Sequence, residues 1–151
     1  MSAPVAVRPA RPDDAEAIGA LMREFPAYLR ALGDEGPLEG NAAMVRCYGF
    51  GADAEIEGQV AGYPLYHFGF DSDCACRILH VIDLYVRESA RRHGAGRALM
   101  ERACEICRAT DGGALFWAVH RPNELAARFY EGIGARRIED LDFLIWKAGG
   151  R

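Results

Sequence analysis

The sequence predicts one mixed α/β domain, a mixed β-sheet with helices packed on its faces. Three observations lead there. Apolar residues switch between alternating and 3–4-residue spacing along the chain. Hairpin-like stretches come first, and a strand–loop–helix–strand crossover follows, so antiparallel and parallel pairing must coexist. Finally, 151 residues, 50% of them apolar and 26% charged, are enough for one core spanning residues 1–151. A chain of that size buries about two-thirds of its unfolded surface, so it needs neither disulfides nor a structural metal to fold.

The elements follow in order. Val5-Ala6-Val7 with Arg8 reads as an opening strand. Pro12 starts a helix whose first turn holds Asp13 and Asp14 against the positive end of the dipole, and Pro26 is expected to end it. Ala15, Ile18, Leu21, Met22 and Phe25 give that helix its apolar face. Gly33 to Gly40 reads as a polar linker, and Asn41 to Tyr48 as a short second helix. Ala52 to Glu57 and Gln59 to Phe68 form a hairpin around Gly58, and Arg77 to Val86 carries the strongest strand signal. A helix after Gly96 buries Leu99, Ala103, Ile106 and Cys107 and stops before Asp111-Gly112-Gly113. Ala114 to Val119 is a strand, Asn123 to Glu131 a helix, and Arg136 to Ile138 with Phe143 to Trp146 close the chain as strands. Trp117 and Trp146 are expected in strands, filling the core. The order βααβββαβαββ implies about six or seven strands, mostly antiparallel, with about four helices.

Charge and cysteine usage narrow the class. Eighteen basic residues against twenty-two acidic ones leave a net charge of −4, which speaks against a nucleic-acid module. The five cysteines are an odd number and read as reduced thiols. Cys104 and Cys107 lie on one helix face and read as packing, so no metal site is expected. No signal-like start and no apolar run of roughly 18 residues is present, so the expectation is a cytoplasmic protein with no membrane partner.

The junction after Val86 carries the chemistry. A strand, the loop Arg91-Arg92-His93-Gly94-Ala95-Gly96 and a helix place backbone N–H groups and a helix N-terminus around one point, with Arg97 close behind. That is a site for a phosphate or pyrophosphate. Gly94 and Gly96 leave room for an anion near the backbone, and the arginines add charge at the rim. The same residues also make a plain turn with solvated arginines. Nucleotide motifs fail in detail: Arg97-Ala98 stand where a P-loop has Lys-Ser/Thr, and Leu99 takes the place of the third dinucleotide-fold glycine.

Arg-x-x-Gly-x-Gly at Arg91 to Gly96 resembles the pyrophosphate loop of the GNAT acetyltransferases. Asn123-Glu124-Leu125-Ala126-Ala127-Arg128-Phe129-Tyr130, followed by Gly134-Ala135, resembles that family's second signature. Both occur in the right order and context, and the element order matches the GNAT fold over nearly the whole chain. Tyr66-His67-Phe68-Gly69-Phe70-Asp71 and Ile82-Asp83-Leu84-Tyr85-Val86 are similar to stretches of the diamine and thialysine branch. Two departures stand out: Ile82 replaces a frequent glutamate, and Phe25 to Arg30 replaces an acidic helix.

The resemblance implies an acetyl-CoA-dependent N-acetyltransferase acting on a primary amine of a small molecule, a polyamine, diamine or amino-acid-like acceptor, and a homodimer by family habit. The alternatives are a protein or peptide N-acetyltransferase and a non-catalytic CoA-binding module. It also implies that a strand distortion near Leu84, Tyr85 and Val86 frees N–H groups for the thioester carbonyl, and that Asn123, Ala126 and Phe129 lie near the pantetheine arm. The resemblance likewise implies that Tyr130 is the general acid for the leaving thiolate, its other role being a half-buried ring that caps the sheet. An acceptor amine with a pKa of about 10.4 must first lose a proton, at about 4–5 kcal/mol. Asp83 is the candidate base, with cation anchoring as its other role, and His120 is the second base candidate. Asn123 also caps the helix it opens.

Overall fold

A computed structural model describes residues 4–34, 52–56 and 58–146. Five strands form one sheet in the order β1-β2-β3-β4-β5: β1 Val5–Pro9, β2 Ala52–Ile56, β3 Gln59–Asp71, β4 Cys76–Val86 and β5 Gly112–Phe116. The first four pair antiparallel, and β4 pairs β5 in parallel, so the sheet is mixed as expected. Three helices accompany it: α1 Ala15–Ala31, α2 Ala95–Ala109 and α3 Glu124–Gly132.

Each sheet face has its own helix because β3 and β4 are apolar on both sides. On one face α1 lays Ile18, Leu21 and Met22 over Tyr63, Leu65 and Tyr85. On the other, α2 buries Ala103 and Cys107 against Leu79 and Val81, and Ala95 and Leu99 against Val5, Val7 and Leu84. Leu21, Leu79 and Leu99 are fully buried.

Four expectations need correction. Pro26 does not end α1 but lies inside it, buried. Its ring removes one backbone bond, and Phe25 and Tyr28 on either side still pack against the core. Arg136–Ile138 and Phe143–Trp146 are not strands, so among the described residues the sheet has five strands rather than six or seven. Their exposure explains it: Leu144 and Trp146 are each 95% exposed, so no burial drives pairing, and Trp146 fills no core. Finally, β5 stops at Phe116, leaving Trp117 outside the strand. The helix expected at Asn41–Tyr48 and most of the Gly33–Gly40 linker fall outside the described residues.

Candidate active site

The parallel pairing of β4 with β5 runs only from Arg77 to His80 on β4 and from Gly112 to Phe116 on β5. Beyond it the two segments part. Val81 and Asp83–Val86 keep their β3 neighbours but have an open edge on the other side, which frees backbone groups there. The fork holds a cleft of about 760 Å³. Its walls are β4 from Val81 to Val86, the segment Trp117–His120, and the first turns of α2 and α3; Phe25, Tyr28 and Leu29 of α1 close it from above.

A single extra residue aims the chemistry. Leu65 pairs with Asp83, but the next residue, Tyr66, pairs with Val81. Ile82 is therefore a β-bulge, and it inverts the alternation of everything after it. Val81 packs on the α2 face and Asp83 on the α1 face with Leu65 and Tyr85. Without the bulge Asp83 would share the face of Val81. The distortion expected at Leu84, Tyr85 and Val86 is thus displaced: these three stay in register with Pro64, Tyr63 and Gly62, and line the cleft.

At one end of the cleft the loop turns into α2. Gly94 is the N-cap, at φ +85°, where L side chains are strained, and a Cβ there would meet open space. Ala95 is buried and begins the helix. Gly96 is small for a different reason than expected: a Cβ on it would lie 3.2 Å from Phe129 Cζ, so it serves the packing of α2 on α3. Arg91 is not a free rim charge. Its Nε donates to the Val86 carbonyl over 2.9 Å, and its guanidinium lies over the rings of Tyr28 (4.7 Å) and Tyr85 (5.7 Å). Arg92, at φ 65°, lines the cleft, while Arg97 also lines it but donates to the Gly132 carbonyl. The His93 ring turns back toward the Ala90 carbonyl and is not part of the cleft wall.

At the other end Asp83 and Tyr130 face one another across the fork. Burial pushes the Asp83 carboxyl above the usual carboxylate range, and no side chain among the described residues pairs with it. Burial, then the charge of Asp83, push the Tyr130 hydroxyl up to about 12. Trp117 and Phe129 hold the Tyr130 ring at 5.0 and 5.1 Å. Behind Asp83, Tyr63 is raised by burial and by the same carboxylate, and its hydroxyl has no partner among the described residues. His120 lines the cleft, with a buried Nε2 that has no partner among the described residues. Asn123 caps α3 by accepting from Ala126 N–H, and Ala126 and Phe129 line the cleft beside it.

The sequence reading missed Tyr28, Tyr63 and Glu24. Glu24 holds Arg87 at 2.8 Å and the Tyr85 hydroxyl at 3.3 Å, so Arg87 is not a solvated charge. Tyr28 and Glu24 lie on α1, four residues apart, a spacing that places both on one helix face. Among the described residues no group of three or more His, Cys, Asp or Glu is arranged to hold a metal, and no helix is long and apolar enough to cross a membrane.

Comparison with known proteins agrees with this geometry. The pattern of the Acetyltransferase (GNAT) family matches residues 16–135. No curated protein matches the sequence. Among solved structures, an aminoglycoside acetyltransferase, meta-AAC0020, from an uncultured soil metagenomic sample superposes with a TM-score of 0.76 at 13% identity, covering 96% of this chain and 97% of that one. A ribosomal-protein-alanine N-acetyltransferase from Brucella melitensis biovar Abortus 2308 gives 0.72 at 16% identity, covering 95% and 99%. The integron cassette protein VCH_CASS6 from the V. cholerae mobile metagenome gives 0.74 at 21%, covering 98% and 94%. At such identities these neighbours establish the fold alone. The family match spans most of the chain, and with it the chain belongs to the GNAT acetyltransferases, an acyltransferase enzyme family.

Proposed function

We propose that the protein transfers the acetyl group of acetyl-CoA to the primary amine of a small molecule, a diamine, polyamine or amino-acid-like acceptor. The observation that carries this reading is Asp83: a half-buried carboxylate with no side-chain partner among the described residues, in the same cleft as Tyr130. An unpaired, half-buried charge is costly, so its place in a cleft is best explained by a cation that arrives with the substrate. The N-terminus of α2 at Gly94, with Arg92 beside it, suits the CoA pyrophosphate. The narrower acceptor class draws on the likeness of Tyr66–Asp71 and Ile82–Val86 to the diamine and thialysine branch. The same resemblance implies a homodimer.

In this reading Asp83 receives the acceptor ammonium and takes its proton, a step that its raised pKa favours over an ordinary carboxylate. The freed amine attacks the thioester carbonyl; an N–C bond forms and the C–S bond breaks. Backbone N–H groups on the open edge of β4 are placed to stabilise the developing oxyanion. Tyr130, held protonated across the physiological range, donates to the departing sulfur. Asp83 then gives its proton to solvent, and the second proton that the nitrogen sheds on becoming an amide passes through water to the Tyr130 oxygen. CoA thiol and the N-acetyl amine leave.

The test is a thiol-release assay with acetyl-CoA and a panel of diamines, polyamines, amino acids, aminoglycosides and peptides. Release with small amines is expected. Release only with peptides would replace the small-amine reading by the peptide one. Tight acetyl-CoA binding with no release by any acceptor would favour the CoA-binding module.

A further inference from the structure

One hydrogen bond joins two walls of the cleft that are 95 residues apart in the chain. Tyr28 Oη, on α1, donates to Asn123 Oδ1 over 2.8 Å, and the Ala126 backbone N–H donates to the same oxygen over 3.0 Å. A backbone N–H can only donate, so the atom capping α3 has to be the amide oxygen rather than the nitrogen. The hydroxyl beside it must then donate as well. Both lone pairs of Oδ1 are occupied, and the amide cannot turn over without setting its NH2 against the Ala126 N–H. Asn123 is only 7% exposed, yet its Nδ2 has no hydrogen-bond partner among the described residues, and the residue lines the cleft. The NH2 itself is accessible from the cleft, so it is a donor open to an acceptor that enters there.

The ring of Tyr28 does a second thing. Its face carries the Arg91 guanidinium at 4.7 Å, and Arg91 is bonded to the Val86 carbonyl at the end of β4. Tyr28 therefore touches both the cap of α3 and the loop that leads into α2.

Resting on the reading of the cleft as an acyl-CoA site, we propose that Tyr28 is a positioning residue for the acyl donor. It fixes the Asn123 amide with its oxygen toward α3, so that the NH2 donates to an amide carbonyl of the pantetheine arm. The contact Tyr28 makes by its hydroxyl is separable from the one it makes by its ring, and Tyr28→Phe removes only the first.

The experiment is calorimetry with two probes, CoA and 3′-phosphoadenosine 5′-diphosphate, which keeps the pyrophosphate and lacks the pantetheine arm. Tyr28→Phe is expected to weaken CoA about five- to tenfold, the loss of one oriented hydrogen bond, and to leave the diphosphate unchanged. Asn123→Asp keeps the capping oxygen and removes the NH2. In that background Tyr28→Phe should change CoA affinity less than twofold. Equal weakening of both probes, an equal effect in both backgrounds, or no effect in the otherwise wild-type protein overturns the proposal while the acyl-CoA reading stands. A wild-type protein that binds the diphosphate but gains nothing from the pantetheine arm overturns both.

Discussion

Asp83 lies directly across from Leu65 on β3, and it does so only because Ile82 is left out of the pairing. One inserted residue thus decides whether the carboxylate faces the cleft or the packed underside of the sheet.

Giving Ile82 a partner on β3 should therefore be far worse than truncating its side chain. Its side chain is 47% exposed, so Ile82→Ala should cost less than about 1 kcal/mol of stability and leave turnover near the wild-type rate. One residue inserted between Leu65 and Tyr66 would pair with Ile82, restore regular alternation and turn Asp83 away from Tyr130. Acetyl transfer should fall about 100-fold or more, the usual worth of a positioned base. Equal activity in the two variants, each shown to be folded by circular dichroism, would mean the bulge does not aim the carboxylate.

Asp83 also makes opposite predictions for activity and for stability. The acidic limb of the pH–rate profile should lie above the usual carboxylate range, and Asp83→Asn should abolish that limb while lowering kcat about 100-fold or more. For stability the folded-state pKa is raised above the unfolded value of about 3.9. The proton on Asp83 thus contributes stability that is full below the unfolded pKa and is lost as pH rises through the folded one. Above its folded-state pKa the wild type carries an ionised, half-buried carboxylate. Asp83→Asn should then melt higher than wild type in that range, and the gap should close on acidification toward pH 4. A variant that melts lower there would show that the carboxylate has a stabilising partner.

Tyr130→Phe keeps the ring that packs between Trp117 and Phe129 and removes only the hydroxyl. The melting temperature should hardly move. The turnover number should fall about 100-fold, with the Michaelis constant for acetyl-CoA within about twofold of wild type. Because the hydroxyl is pushed up to about 12, the wild-type rate should show no basic limb from it below pH 10. Unchanged turnover at saturating substrates would assign the departing proton to another group.

The two loop glycines should fail in different ways. Gly94→Val places a β-branched residue at φ +85° with open space around it, so the strain is in the backbone, about 1–2 kcal/mol. CoA affinity should drop more than tenfold by calorimetry. Gly96→Ala instead presses on Phe129 from 3.2 Å, next to Tyr130, so kcat should suffer more than affinity. The reverse pattern would exchange the roles given to the two positions.

The parts of this molecule that were legible in the sequence are local in origin. The turn into α2 needs a left-handed Gly94 and a following amphipathic helix, and both are written within ten residues. The cap at Asn123 and the aromatic pair Phe129-Tyr130 are likewise neighbours in the chain. What escaped was set by pairing partners far away. The Ile82 bulge exists only relative to Leu65 and Tyr66, so no spacing within β4 announces it. Tyr28 and Tyr63 are ordinary apolar-face residues until the sheet brings Asn123 and Asp83 beside them. Pro26 misled because local propensity said stop while the buried packing of α1 said continue. The C-terminal segment misled in the opposite sense: Phe143, Leu144, Ile145 and Trp146 look like a strand, yet only Phe143 finds a ring, Phe116 at 5.6 Å.

The fork between β4 and β5 has a thermodynamic side. Parallel pairing stops at His80 and Phe116, so the sheet forgoes the rungs that Val81–Val86 would have made, each worth about 1 kcal/mol had it formed. The empty protein is thereby built below the stability its backbone would allow, and a ligand in the fork supplies what the missing strand does not. The melting point should climb with the logarithm of acyl-CoA concentration. Amide hydrogens of residues 81–86 should exchange faster than those of 77–80 in the empty protein, and slow when the fork is filled.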